Sequence, residues 1–179
     1  MQRVGSSPRR VVLTGPESTG KTTLARQLAR HYETVWAPEY LRTFVEDKGA
    51  LPGPADSRLV ADGHLAQEQA LLEQAQHVLF LDTDLISTYL YHRHYFGEQP
   101  SWLLNLSLQH AGDLYLLADI DIPWIPEEGQ RDGPATRATL HARFRSELVT
   151  RNLPHVLLSG TPSRRLHRAC EAIDKLLCT

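Results

Sequence analysis

Apolar and polar positions change period several times along this chain, dividing it into short strands and longer helices. Runs of β-branched and large aliphatic residues stand in "RVVLTG", "ETVWA", "HVLFLD", "DLYLLAD" and "HVLLSG". Turn-forming or polar residues flank these runs, which predicts five strands. Between them the spacing predicts helices over Lys21–His31, Pro38–Lys48, Asp56–Gln76, Asp84–Phe96, Trp102–His110, Thr136–Asn152 and Pro162–Cys178. Segments such as "VLFL" and "LYLL" are apolar at every position, as strands buried on both faces are. Strands of that kind alternating with helices point to an α/β fold, a mostly parallel sheet with helices on both faces.

Two stretches interrupt the rhythm. "KGALPGPADS" reads as a surface loop entering a helix capped by Asp56 or Ser57. "DIPWIPEEGQRDGPATR" holds three Pro, two Gly and both charge signs, too broken for core. A segment of this length is expected to be a lid, over roughly residues 123–137. No repeat or linker divides the 179 residues, so one domain over 1–179 is expected.

Composition changes this picture little: 41% hydrophobic and 22% charged residues are ordinary for a globular chain. A net charge of -2 argues against a protein built to neutralise nucleic-acid phosphates. Arg9, Arg10, Arg164, Arg165 and Arg168 are expected on a solvated surface. The two cysteines, Cys170 and Cys178, do not face each other on adjacent helical turns, so no disulfide is expected. The start "MQRVGSSPRR" has no secretory apolar run and no stretch is long enough to span a bilayer, so a cytoplasmic location is expected.

The strongest chemical signal is "GPESTGKT", which fills G-x-x-x-x-G-K-[ST] between a strand and a helix. Gly15 and Gly20 let the backbone curl so that N–H groups converge on phosphate oxygens. Glu17, Ser18, Thr19 and Thr23 complete the expected ATP-binding loop, and the helix N-terminus adds partial positive charge. Lys21 is placed to reach the β- and γ-phosphates, and the Thr22 hydroxyl to ligate Mg²⁺. No Asn-Lys-x-Asp guanine-reading motif is present, and the chain is short for a helicase or an AAA-type motor with a helical accessory domain.

A small-molecule kinase needs a metal carboxylate, an acidic group for the acceptor hydroxyl and a cationic lid. Asp82 ends the strand "HVLFLD" where a carboxylate meets Mg²⁺ together with Thr22. Asp84 either continues toward the acceptor or caps the following helix. Glu39, just past a strand end, is the candidate base for a sugar hydroxyl. Arg42 either holds a phosphate or pairs with Glu39 one turn away. Arg131 and Arg137 are the candidate lid cations. Trp124 either flanks an aromatic base or packs the lid hinge. His92 and His94 diverge on a helix, so no metal site is expected there.

Together, "GPESTGKTTL", "PEYLRTF", "FLDTDLIST" and "DIPWIPEEGQRDG" resemble the ribosylnicotinamide kinase domain of bacterial NadR-type proteins, over nearly the whole chain. The resemblance implies a P-loop nucleotide-kinase fold with a five-stranded parallel sheet. It implies transfer of the ATP γ-phosphoryl to the ribose 5′-hydroxyl of nicotinamide riboside, with Mg²⁺. On that reading Lys21, Glu39, Asp82 and Arg131 are catalytic, and Tyr40, Arg42, Asp84 and Trp124 join Glu39 and Asp82 at the substrate. The family's helix-turn-helix and adenylyltransferase domains are not expected within these residues, and Pro126 shifts the register of Arg131. Two rivals stay open: a P-loop kinase for another small acceptor, and a regulatory ATPase sensing a nucleotide. "APEYLR" and "LDTDLI" lack the Asp-Arg pair that a nucleoside monophosphate kinase wants, which favours a neutral-sugar acceptor.

Overall fold

The computed structural model describes residues 7–125 and 133–178. Five strands form one parallel sheet: β1 (Arg9–Thr14), β2 (Trp36–Ala37), β3 (Val78–Asp82), β4 (Leu114–Ala118) and β5 (His155–Leu158), in the order β2-β3-β1-β4-β5. Among the described residues, seven α-helices accompany them: α1 (Lys21–His31), α2 (Tyr40–Lys48), α3 (Ser57–Leu72), α4 (Leu85–Phe96), α5 (Ser101–Gln109), α6 (Pro134–Thr150) and α7 (Pro162–Leu177). All five expected strands and all seven expected helices are present.

Successive strand residues feed opposite cores, as period-two geometry requires. Val12, Leu79, Leu81, Tyr115 and Leu117 pack with α3, α4, α5 and α6 on one face. Val11, Leu13, Phe80, Leu114 and Leu116 pack with α1 and α7 on the other. Three layers result.

The boundaries that differ do so for local reasons. β2 begins only at Trp36 because Glu33 takes a positive φ of 49° and the Thr34 N–H turns back to Ala29 O at 2.9 Å. α2 begins at Tyr40 rather than Pro38, because the Pro38 carbonyl accepts from Gln67 Nε2 at 2.7 Å instead of opening the helix. α3 stops at Leu72, where the N–H groups of Gln74 and Ala75 both close on Leu71 O. Caps fix other starts: Asp84 accepts from Ser87 N, and Thr161 accepts from Arg164 N ahead of Pro162.

The carboxyl ends of β1, β3 and β4 share one edge. Strand order reverses there at β1, the place where open parallel sheets bind ligands.

Candidate functional site

β1 runs into the phosphate-type loop, whose backbone takes positive φ at Gly15 (127°), Ser18 (56°) and Gly20 (81°). Gly15 passes so close to β4 that an added Cβ would lie 3.0 Å from Ala118 O, and at a φ of 127° a larger residue would be strained. Three loop carbonyls are tied down. Pro16 O accepts from Thr19 Oγ1 at 2.8 Å and from Lys21 Nζ at 2.7 Å. Ser18 O accepts from Arg137 Nη2 at 3.1 Å, and Thr19 O from Arg165 Nη1 at 3.0 Å. In a trans peptide the N–H points opposite to the C=O, so anchoring the Ser18 and Thr19 carbonyls aims the Thr19 and Gly20 N–H groups away from the arginines. This is a nest for an anion.

The two arginines correct the sequence reading. Arg137 is a buried residue on the first turn of α6, and its Nη2 also donates to Ile122 O at 3.0 Å. Burial, then the nearby Arg165 charge, lowers its pKa. Arg165 was expected on a solvated surface but is 6% exposed. It donates to Gly160 O and Asp119 O as well as Thr19 O, and pairs with the Asp121 carboxylate. Arg10 is likewise half-buried, held by Glu68 and Ala111 O. The signal missed was position: Arg165 sits one turn into a helix whose start follows β5, directly behind the loop. Arg164 and Arg168 are exposed, as expected.

Asp82 closes β3 opposite Leu13 of β1, which brings it to the loop. Its Oδ2 accepts from Thr22 Oγ1 at 2.5 Å, and it is 2% exposed. The other oxygen, Oδ1, is buried and has no hydrogen-bond partner among the described residues. A buried anionic oxygen with spare lone pairs beside a hydroxyl is a fit for a hard cation such as Mg²⁺, which needs few protein ligands. Thr83 then takes a φ of 71°, unusual for a β-branched residue, with its N–H on Leu13 O. That turn sends the next carboxylate elsewhere. Asp84 Oδ1 accepts from Ser87 N, and Oδ2 accepts from Tyr115 Oη at 2.7 Å. Burial pushes the Asp84 carboxyl upward in pKa, and burial with the adjacent Asp84 does the same to Tyr115. The structure therefore places Asp84 as helix cap and Tyr115 acceptor, and it does not line the cleft among the described residues.

Glu39 stands just before α2, half-buried, with Oε2 3.1 Å from Arg42 Nε. Both face a cleft of about 460 Å³. One end of it is the loop residues Glu17–Thr23, with Asp82; the other is lined by Tyr40, Val60, Tyr91, Tyr95 and Phe96. A smaller cavity of about 200 Å³ lies on the opposite side of the loop, between Leu24, Gln27, Ile122, Pro162 and Arg165. Trp124 is half-buried and lines neither cavity among the described residues. Arg131, Pro126 and the rest of 126–132 lie outside the described residues.

A family model for an AAA domain matches residues 10–165, from β1 to α7. The chain belongs to this family. Among curated proteins, the trifunctional NAD biosynthesis/regulator protein NadR of Escherichia coli (strain K12) is 32% identical over 66% of this chain, and that of Salmonella typhimurium gives the same figures. The chain spans only 30% of the length of these relatives. Among solved structures, NadR protein in complex with NR superposes with a TM-score of 0.80 at 25% identity, over 97% of this chain and 52% of that one. A thymidylate kinase from Ehrlichia chaffeensis shares the fold alone, with a TM-score of 0.66 at 12% identity over 96% of this chain and all of the other. The expected fold class, a P-loop nucleotide-kinase-like three-layer sandwich, is what the chain adopts, and the resemblance to NadR holds in both sequence and structure. No described helix is long and apolar enough to cross a membrane.

Proposed function

We propose that this chain is an ATP-dependent kinase that phosphorylates nicotinamide riboside at the ribose 5′-hydroxyl, giving nicotinamide mononucleotide. The observation that carries the reading is the continuous cleft joining the P-loop and Asp82 to Glu39 and an aromatic end, on the fold shared with NadR bound to NR. We read residues 1–179 as one kinase domain, acting in the cytoplasm on a small-molecule substrate.

In this reading the triphosphate lies in the nest held by Arg137 and Arg165, and the smaller, largely apolar cavity beside Gln27 and Ile122 takes the base. Lys21 exchanges the neutral Pro16 carbonyl for phosphate oxygens, where its charge is worth more. Thr22 and Asp82 would hold Mg²⁺, which supplies charge screening on the phosphates. Glu39 accepts the proton of the 5′-hydroxyl as that oxygen bonds to the γ-phosphorus. The bond from phosphorus to the β–γ bridging oxygen breaks, and ADP leaves. Tyr40 lines the acceptor side. Arg42 has two duties compatible with its geometry: it orients Glu39 and carries an exposed positive charge toward phosphate. Asp84 and Trp124 act at one remove, Asp84 by fixing the start of α4 and Trp124 by packing the entry to the lid segment. Arg131 is retained as the lid cation, outside the described residues.

Glu39→Gln tests the assignment. The amide keeps a hydrogen bond to the sugar but takes no proton, so kcat should fall roughly a hundredfold or more while KM for the riboside changes little. An unchanged kcat in the folded variant removes Glu39 as the base.

A further inference from the structure

The α3 and α4 side of the cleft carries a line of polar side chains that phosphoryl transfer itself does not need. Ser57 opens α3 and His92 lies on α4; they are 7% and 5% exposed, and both line the cleft. Ser57 Oγ is 2.7 Å from His92 Nδ1, and His92 Nε2 is 3.3 Å from Glu98 Oε2. Glu98 is mostly exposed, just beyond the Gly97 that ends the helix.

The partners decide where the protons sit. A carboxylate only accepts, so in the neutral imidazole the hydrogen belongs on Nε2, directed to Glu98. Nδ1 is then a lone pair, and the Ser57 O–H donates to it. That consumes the one proton Ser57 has. Its oxygen is left with lone pairs in a cleft whose wall also includes Val60, His64, Tyr91, Tyr95 and Phe96. Such an oxygen asks its ligand for an N–H or O–H donor and repels an acceptor. Charge points the same way: Glu17, Glu39, Glu46 and Asp82 line the cleft against Lys21 and Arg42, and Arg42 is engaged with Glu39.

We propose that Ser57, its proton held by His92 and Glu98, selects an acceptor whose aromatic ring bears a primary carboxamide over the same ring bearing a carboxylate. The inference rests on the kinase reading above and deepens it. A carboxylate would meet the Ser57 oxygen as acceptor against acceptor, or force Ser57 to abandon His92. Either should lower kcat/KM about tenfold to a hundredfold, the range expected when a buried polar contact is mispaired.

The test measures kcat/KM for nicotinamide riboside and for nicotinic acid riboside with the full chain at mildly alkaline pH, alongside melting temperature and ATP affinity. The wild type should prefer the amide at least tenfold. Ser57→Ala should erase most of the preference by slowing the amide, and Ser57→Thr, which keeps the hydroxyl, should preserve it. His92→Phe keeps the ring's bulk but frees the Ser57 proton to donate, so the preference should shrink or turn toward the acid. A structural role alone would slow both ribosides equally. Equal use of the two by the wild type, or a preference untouched by Ser57→Ala and His92→Phe, overturns this inference and leaves the kinase reading standing. Phosphorylation of neither riboside overturns both.

Discussion

Gly63 stands in the middle of α3, where glycine costs a helix about 1 kcal/mol relative to alanine. The structure shows what that cost secures. A Cβ at Gly63 would lie 2.1 Å from Cζ and Oη of Tyr40 and 2.4 Å from its Cε1. Ordinary carbon contacts are about 3.5–4.0 Å, so Gly63→Ala must move the ring by roughly 1.5 Å. One turn on, Gln67 holds the Pro38 carbonyl, so the same face of α3 seats both ends of the Pro38-Glu39-Tyr40 segment. α2 buries no residue of its own, which makes this seat a main anchor for the proposed base. Tyr40 is half-exposed and free to swing out, so overpacking of about 1–3 kcal/mol is avoided at the expense of site geometry. Helix propensity gains about 1 kcal/mol in return, and net stability should stay within about 1 kcal/mol of wild type. A displacement of about 1 Å at a reacting group costs on the order of a hundredfold, so kcat/KM for the acceptor should fall between tenfold and a hundredfold. ATP affinity, set by the distant loop, should hold within about twofold. Steady-state kinetics, nucleotide titration and thermal melts read these three quantities. In a Tyr40→Ala background the same Gly63→Ala change should add almost nothing, because there is no ring to displace. Wild-type acceptor kinetics in Gly63→Ala, or an equal loss with and without Tyr40, would refute the reasoning.

Three further outcomes follow from particular groups. Asp82→Asn keeps the Thr22 contact in shape but removes the charge, so activity should fall at least tenfold and need more Mg²⁺ for half-saturation; an unchanged Mg²⁺ titration would make Asp82 a mere strand end. Arg165→Leu leaves the Thr19, Gly160 and Asp119 carbonyls without this donor and Asp121 without its cation, so unfolding free energy should drop by roughly 2–3 kcal/mol, less than for a fully buried pair because Asp121 keeps the Gly160 N–H and access to water. ATP affinity should weaken with it as the loop loosens, and intact affinity would separate the brace from the nest. Asp84 has a folded pKa above its ordinary 3.8, so the folded state holds its proton longer and stability from this group falls as pH rises from about 4 through the raised value. Asp84→Asn, a neutral cap, should remove that slope in paired pH-dependent melts, and parallel curves for the two proteins would contradict it.

The sequence reports the sheet well because strand burial on both faces leaves no polar position to mislead, as in "VLFLD" and "LYLLA". Thr22 and Asp82 were legible for a related reason: each is fixed relative to a strand end by local spacing. Asp84 was not. Its neighbour Thr83 turns left-handed and points it into the core, and nothing local announces a positive φ at a threonine. Arg165 was hidden because its partners, Thr19 and Asp119, come from distant parts of the chain; a helix N-terminal arginine looks like any solvated one until the strands are ordered. Ser57 and His92 belong to different helices, and only the packing of α3 against α4 pairs them. Glu39 and Arg42 sit between these cases: the ion pair follows from spacing, whereas their place on the cleft wall comes from the docking of α2 on α3.

The central claim is tested most directly by ADP release from ATP and Mg²⁺ in the presence of a panel of nucleosides and vitamin precursors, with the phosphorylated product identified by mass spectrometry and phosphorus NMR. The predicted result is strong stimulation by nicotinamide riboside, with the new phosphate on the 5′-oxygen and little hydrolysis when no acceptor is present. Stimulation by a different acceptor, with nicotinamide riboside inert, would contradict the substrate assignment, and ATP hydrolysis indifferent to every acceptor would contradict the kinase itself.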